Sequence, residues 1–224
     1  IGLNSADDII VVDNAVNVLS GWVSLGKNDD LDGLKPNGTK LVLDGATVTS
    51  GPVAGIFMDT VSGSQIRNIE IRNFPQNGIF APGPSGAIFE GLDIHNNGSA
   101  GILILGSDSF TLTNARNVRI GGTQPQQANR IYTNGIGISI TAFANDDRSP
   151  DQNIQILNNY IGTADGVADN GNGLHGFYLV HTFGVTIGDT TNATRNIISG
   201  NNGDGIRVVG QAAVNNVIIG NYIG

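Results

Sequence analysis

Apolar residues in this chain come in runs of three to five, rich in Ile and Val, bounded by Gly or Asn and often alternating with polar neighbours. Lys40-Leu41-Val42-Leu43, Gly101-Ile102-Leu103-Ile104-Leu105 and Gly205-Ile206-Arg207-Val208-Val209 show the pattern. Runs this short, with turn residues at both ends, are strand-and-turn chemistry. No stretch carries a sustained apolar stripe at the helical period, so helices are not expected.

The runs fall into repeating columns. A Gly followed by an apolar residue recurs at Gly55-Ile56, Gly78-Ile79, Gly101-Ile102, Gly137-Ile138, Gly176-Phe177 and Gly205-Ile206, with spacings of 23, 23, 36, 39 and 29. A six-residue segment ending in Asn recurs as NIEIRN, GLDIHN, NRIYTN, NIQILN, NIISGN and NVIIGN. A third column ends in Ile-Gly, at Ile120-Gly121, Ile161-Gly162, Ile187-Gly188 and Ile223-Gly224. Columns in register along most of a chain predict a repeat architecture.

A repeat near 23 residues fits one coil of three short strands and three turns. The expected fold is all-β, a right-handed single-stranded parallel β-helix (a solenoid) of roughly seven coils. The helix is expected over residues 34–224, with 1–33 an N-terminal coil or cap, and the whole reads as a fragment of a longer protein. Inward residues such as Ile69 and Ile71 stack on Leu92 and Ile94, each burial contributing about 1.5–3 kcal/mol. The segment-ending residues Asn73, Asn96, Asn134, Asn158, Asn201 and Asn221 are expected in turns, paired coil to coil at about 4.8 Å in a structural ladder. A common turn residue with no ladder is the plain alternative.

Composition narrows the function. Charged residues are only 13% and Gly is 33 of 224, as a regular, turn-rich scaffold requires. The net charge of −8 argues against nucleic acid as a partner. There is no cysteine, so no disulfide frame, and no apolar run long enough to span a membrane.

The stretch LVLDGATVTS, followed by AGIFMDTVSGSQIRNIEIRNFPQNGIF, resembles the opening coils of the pectin-lyase-like right-handed parallel β-helix superfamily. NNYIGTADG, GVTIGDTTNATRNIISGNNGDGIRV and NNVIIGNYIG resemble the repeat arrays of secreted bacterial surface proteins. The resemblance covers about Leu34 to Gly224 and rests on scaffold motifs. It implies an extracellular or cell-surface location, and a choice among polysaccharide lyases, hydrolases, epimerases, tailspikes and non-catalytic adhesins. The ordered polygalacturonase motifs are incomplete: Asp29-Asp30, Asp146-Asp147 and Leu174-His175-Gly176 are present without Arg-Ile-Lys. The Asp-Pro-His-Glu string of alginate epimerases and the Trp-Ile-Asp-His string of pectate lyases are missing.

Four constellations could carry chemistry. Asn28, Asp30, Asp32 and Gly33 form an N-x-D-x-D-G pattern whose alternate oxygens could wrap calcium, the one cofactor suggested; no bidentate Glu follows, and an acidic turn is the plainer reading. Asp146, Asp147, Arg148 and Asp151 gather three carboxylates and a cation, the catalytic candidates if the chain is an enzyme, against a solvated loop. Glu70, Arg72, Asp93 and His95 should align outward on neighbouring coils, with Arg119 above them, as a sugar-binding patch or a plain ion-pair cluster. His175 and His181 flank Phe177-Tyr178-Leu179, where packed histidines are the simpler reading. Tyr132 and Tyr178, with Asp93 and His95, are the carbohydrate-binding candidates.

The leading functional expectation is a non-catalytic extracellular repeat module: a stalk, adhesin or sheath segment contacting carbohydrate or cell-surface components. Its other partners would be further coils of the same chain or neighbouring copies. The alternatives are a polysaccharide lyase, hydrolase or epimerase acting on acidic glycans, and a carbohydrate-binding module.

Overall fold

The computed structural model describes residues 9–11, 18–20, 22–48, 54–58, 63–106, 115–142 and 153–224. These residues wind as short parallel strands into three sheets of eight, eight and seven strands. Each coil gives one strand to each sheet in turn. In the fourth coil these are Ile88–Glu90, Asp93–His95 and Ala100–Leu105. Seven coils have all three strands, and Val217–Ile218 with Tyr222–Ile223 begins another. The first coil starts at Ile9–Val11, which pairs with Asp30–Asp32. Two single turns of 3-10 helix, Pro125–Gln127 and Asn192–Thr194, are the only helical elements among the described residues. The architecture is the expected right-handed parallel β-helix.

Period-two alternation explains the core. In the second sheet Leu43, Ile71, Ile94, Ile131, Ile161 and Ile198 stack directly on one another, each fully buried. The first sheet stacks Leu31, Ile66, Phe89, Ile120, Ile156 and Ile187 in the same way. Residues on either side of these columns face outward and are polar in most coils.

The Gly-apolar column has a steric cause. A Cβ on Gly101 would lie 2.6 Å from Ile131 Cγ2 and 2.8 Å from the Gly137 carbonyl oxygen in the next coil. Gly78 and Gly137 meet the same neighbours one coil away on either side. The column marks where the turn into the third sheet presses against the coil above. The Ile-Gly column has a different cause: Gly162 has φ +82°, and a Cβ there would collide with the Ser199 carbonyl.

Asparagines form two buried ladders. Between the second and third sheets Asn97, Asn134, Asn172 and Asn201 stack, each Nδ2 donating to the Oδ1 of the next at 3.0, 3.3 and 2.8 Å. Between the first and second sheets Asn129, Asn159, Asn196 and Asn221 do the same at 2.9, 2.9 and 2.8 Å. The second amide hydrogen serves a backbone carbonyl: Asn159 donates to Ile120 O at 3.0 Å. The expected single ladder is thus corrected. Asn134 and Asn201 belong to the first ladder and Asn221 to the second. Asn73, Asn96 and Asn158 belong to neither. Each of these three has positive φ, 60°, 56° and 55°, and turns the chain one residue before the inward position. After Asn96 and Asn158 that position holds Asn97 and Asn159. After Asn73 it holds Phe74, whose backbone N–H donates to Asn97 Oδ1.

The two asparagine roles should separate on substitution. Asn159→Ala leaves the Ile120 carbonyl and the Asn129 amide without partners, an expected loss of about 3 kcal/mol. Asn96→Ala should lose about 1–2 kcal/mol through its left-handed backbone, and Asn96→Gly almost nothing. Gly101→Ala, at a position with no room, should lose about 1–3 kcal/mol. Urea unfolding of the four variants measures this directly.

Candidate functional site

The outer face of the second sheet carries two rows of side chains that run along the solenoid axis. One row is Val42, Glu70, Asp93, Arg130, Tyr160, Ile197 and Tyr222. The other is Asp44, Arg72, His95 and Tyr132. Neighbours within a row are about 4.8 Å apart. Register alone would set the carboxylates of Glu70 and Asp93 one above the other, an unfavourable pair. The second row resolves this with a guanidinium, an imidazole and a phenol.

Arg72 bridges two acids, with Nε 3.0 Å from Asp44 Oδ2 and Nη1 2.6 Å from Glu70 Oε1. His95 Nε2 lies 3.3 Å from the same Glu70 oxygen. The His95 ring stacks flat on Tyr132, with centroids 4.9 Å apart and planes 9° apart. The Asp93 carboxylate lies close enough to the Tyr132 hydroxyl to act on it. Asp93 Oδ1 is buried and has no hydrogen-bond partner. Lys40, which leads into the strand Leu41–Asp44, is close enough to feel Asp93, Arg130 and Glu70.

Burial tunes these groups. It pushes the Tyr132 phenol up to about 12, and the negative charge of Asp93 beside it, with that of Glu70, pushes the same way. It lowers the Lys40 ammonium below its ordinary range, with Asp93 and Glu70 acting against the shift and Arg130 with it. The hydrogen bond from Asn73 holds the Asp44 carboxyl below the usual range, helped by Ala46 N–H and by Arg72. Tyr132 is therefore a proton donor at neutral pH, and Lys40 is an ammonium that releases its proton more readily than usual.

One wall of this face is a loop. Between Ile161 and Phe177 the chain leaves the coil, and Asn170 O accepts a hydrogen bond from Thr133 N at 2.9 Å. Gly166 of the loop packs beside Tyr160 and Ile197; a Cβ there would sit 3.2 and 3.3 Å from them. Asp165 folds the loop tip by accepting from Val167 N at 2.9 Å and Ala168 N at 2.7 Å.

The structure brings Tyr132, Asp93 and His95 together, and it puts Glu70 and Arg72 with them. Tyr178 lies elsewhere, on the third sheet, stacked on His175 at 5.6 Å. His181 lies beyond that strand at φ 55°. Arg119 is on the first sheet, where it pairs with Glu90 at 2.7 Å and has no place above the patch. Arg130 occupies the expected position instead. Asp30 and Asp32 share Arg67, at 3.4 and 3.8 Å, and Asn28 makes a left-handed turn before them. Among the described residues no group of three or more His, Asp or Glu is placed to hold a metal ion. Asp146, Asp147, Arg148 and Asp151 lie outside the described residues. Lys40, Asp44 and Arg130 are the members that sequence reasoning did not assign. Each sits at an odd offset from a buried Ile or Leu of the inward column, on the outward face, which is the signal that could have found them.

A family model described as a right handed beta helix region matches residues 54–223. No curated protein matches the chain. Among solved structures, the A-module of the Azotobacter vinelandii mannuronan C-5 epimerase AlgE4 is 18% identical, with a TM-score of 0.54 over 98% of this chain and 57% of that one. The A-module of AlgE6 from the same organism is 12% identical, with a TM-score of 0.28 over 92% of this chain and 78% of that one. The chain thus spans just over half the length of the AlgE4 module, and at this identity the likeness is one of fold.

Tyr132 should titrate well above an ordinary phenol. A spectrophotometric titration is expected to show a phenol ionising at about 12 that disappears in Tyr132→Phe. Asp93→Asn should bring it part of the way back toward its ordinary value. The raised pKa means that Tyr132 stabilises the fold below about pH 10 and that this contribution fades as pH climbs to about 12. Stability of Tyr132→Phe should therefore fall less steeply across that window.

Proposed function

The chain belongs to the right-handed β-helix family, and from that premise we propose that its second-sheet face binds an acidic polysaccharide and moves a proton at the carbon beside a uronate carboxylate. The observation that supports this most is the Tyr132–His95 stack set between Asp93 and Glu70, with Lys40 and Arg130 alongside. Structural ion pairs do not require a half-buried phenol, an imidazole and a softened ammonium within four consecutive coils of one face. Proton abstraction next to a carboxylate requires all three kinds of group: a cation, a base and an acid.

The roles follow from the geometry. Lys40 and Arg130 offset the uronate charge, which otherwise opposes loss of the adjacent proton. With Nε2–H given to Glu70, the lone pair of His95 lies on Nδ1, where it can take the C5 proton. The C5–H electron pair then delocalises into the carboxylate. It either expels the glycosidic oxygen at C4, with Tyr132 protonating the leaving group, or it recaptures a proton at C5. The first outcome is a lyase and the second an epimerase. The A-module of the mannuronan C-5 epimerase AlgE4 shares the fold and suggests polymannuronate as the first substrate to try. A polymeric glycan substrate also suggests an extracellular location.

A non-catalytic surface module that only holds glycan is the second reading. It is favoured by Arg72, whose bonds to Asp44 and Glu70 satisfy much of the patch internally. Incubation in deuterated water with polymannuronate or polygalacturonate separates the two. The proposal expects deuterium at C5 or an unsaturated product, reduced at least about 100-fold in Tyr132→Phe and in His95→Gln. Binding with neither product supports the second reading. Exchange that survives both substitutions overturns the assignment of the site.

A further inference from the structure

The same face continues past the proton-handling cluster, and there it repeats one arrangement. The guanidinium of Arg130 lies over the Tyr160 ring, 5.8 Å from its centroid. Arg195 lies over the Tyr222 ring at 4.0 Å. Tyr160 and Tyr222 occupy equivalent places in the NYIG segments of their coils and stand two strands apart in one row, through Ile197. Three of the chain's four tyrosines and four of its eleven Lys and Arg residues are on or beside this face.

A guanidinium held over a ring loses less freedom when it binds. Its N–H edge stays available to a planar anion. Arg195 also has a buried Nε without a hydrogen-bond partner. Beneath it Tyr222 is 59% exposed. Among the described residues no ion pair to a carboxylate holds Arg195, which bonds the side-chain oxygen of Asn192, a neutral partner. This differs from Arg72, Arg67 and Arg119, each held by an acid.

We infer that Arg195 on Tyr222 is a distal subsite for a uronate carboxylate, reached by the same glycan chain that lies on the Tyr132–His95 cluster. The inference rests on the acidic-polysaccharide reading above. The glycan runs along the solenoid axis. Arg130 on Tyr160 takes one carboxylate, and Arg195 on Tyr222 takes another about two coil spacings, roughly 10 Å, further on. Two linked contacts raise affinity more than either alone, so the site discriminates by length. A short oligomer fills the cluster and the first arginine, and only a longer one reaches the second.

Calorimetric binding of mannuronate oligomers of three and of six or more residues tests this. The unaltered chain should bind the longer oligomer at least about tenfold tighter. Arg195→Ala and, independently, Tyr222→Leu should remove about tenfold from the longer oligomer's affinity and leave the trimer's unchanged. Arg207→Ala, a cation on the third sheet, should change neither. Melting of each variant alongside guards against a loss caused by unfolding. Equal losses for both lengths, or a loss in Arg207→Ala as large as in Arg195→Ala, would reduce the effect to general charge and overturn the subsite while the reading of the face survives. No binding of either oligomer by the unaltered chain removes both.

Discussion

Everything in this molecule follows from parallel backbone windings held in step by hydrogen bonds from one coil to the next. That register leaves each inward side chain one kind of neighbour, its own counterpart about 4.8 Å away. An apolar counterpart makes a column such as Ile71, Ile94 and Ile131. A polar one must satisfy itself along the column, because the corners are closed to water. Asparagine does this, since its amide both donates and accepts. The corners carry Asn97–Asn134–Asn172–Asn201 and Asn129–Asn159–Asn196–Asn221 for that reason.

The same register writes the outer face. Each coil contributes one residue to each outward row, so a site is assembled from residues 20 to 40 positions apart in sequence. Asp93, Arg130 and Tyr160 are neighbours in this sense only. Stacking sets Glu70 over Asp93, and Arg72 and His95 bond the Glu70 side of that pair. The conflict is resolved by groups that are themselves useful for chemistry: a stacked imidazole, a half-buried phenol and a softened ammonium. A face built this way is rigid, because its backbone is the sheet itself. Variation is left to the loops, such as the one from Gly162 to Gly176 that walls it.

Much of this was readable from the chain alone, and the parts that were not have physical causes. The coil stack was legible because Gly78, Gly101 and Gly137 have no room for a side chain and so cannot drift. The outward alignment of Glu70, Arg72, Asp93 and His95 was legible because two consecutive coils have the same length. The asparagines were only partly legible. In Asn96-Asn97 and Asn158-Asn159 one residue bends the backbone and the next faces inward, and the letters are identical. Arg119 and Arg130 were exchanged in the patch because a longer coil intervenes, and only coordinates reveal which strand belongs to which sheet. Tyr178 shares a coil with Tyr160 yet looks out from another side of the prism.

Each amide in the two asparagine files gives its hydrogen toward the later coil and takes one from the earlier. At the early end the files are closed by backbone N–H groups, those of Phe74 and Leu92. Their small dipoles therefore add rather than cancel, as peptide dipoles do in an α-helix. The solenoid acquires an electrical polarity that its parallel strands alone would give only weakly. The positive sense points toward the later coils, the direction in which Arg195 rests on Tyr222.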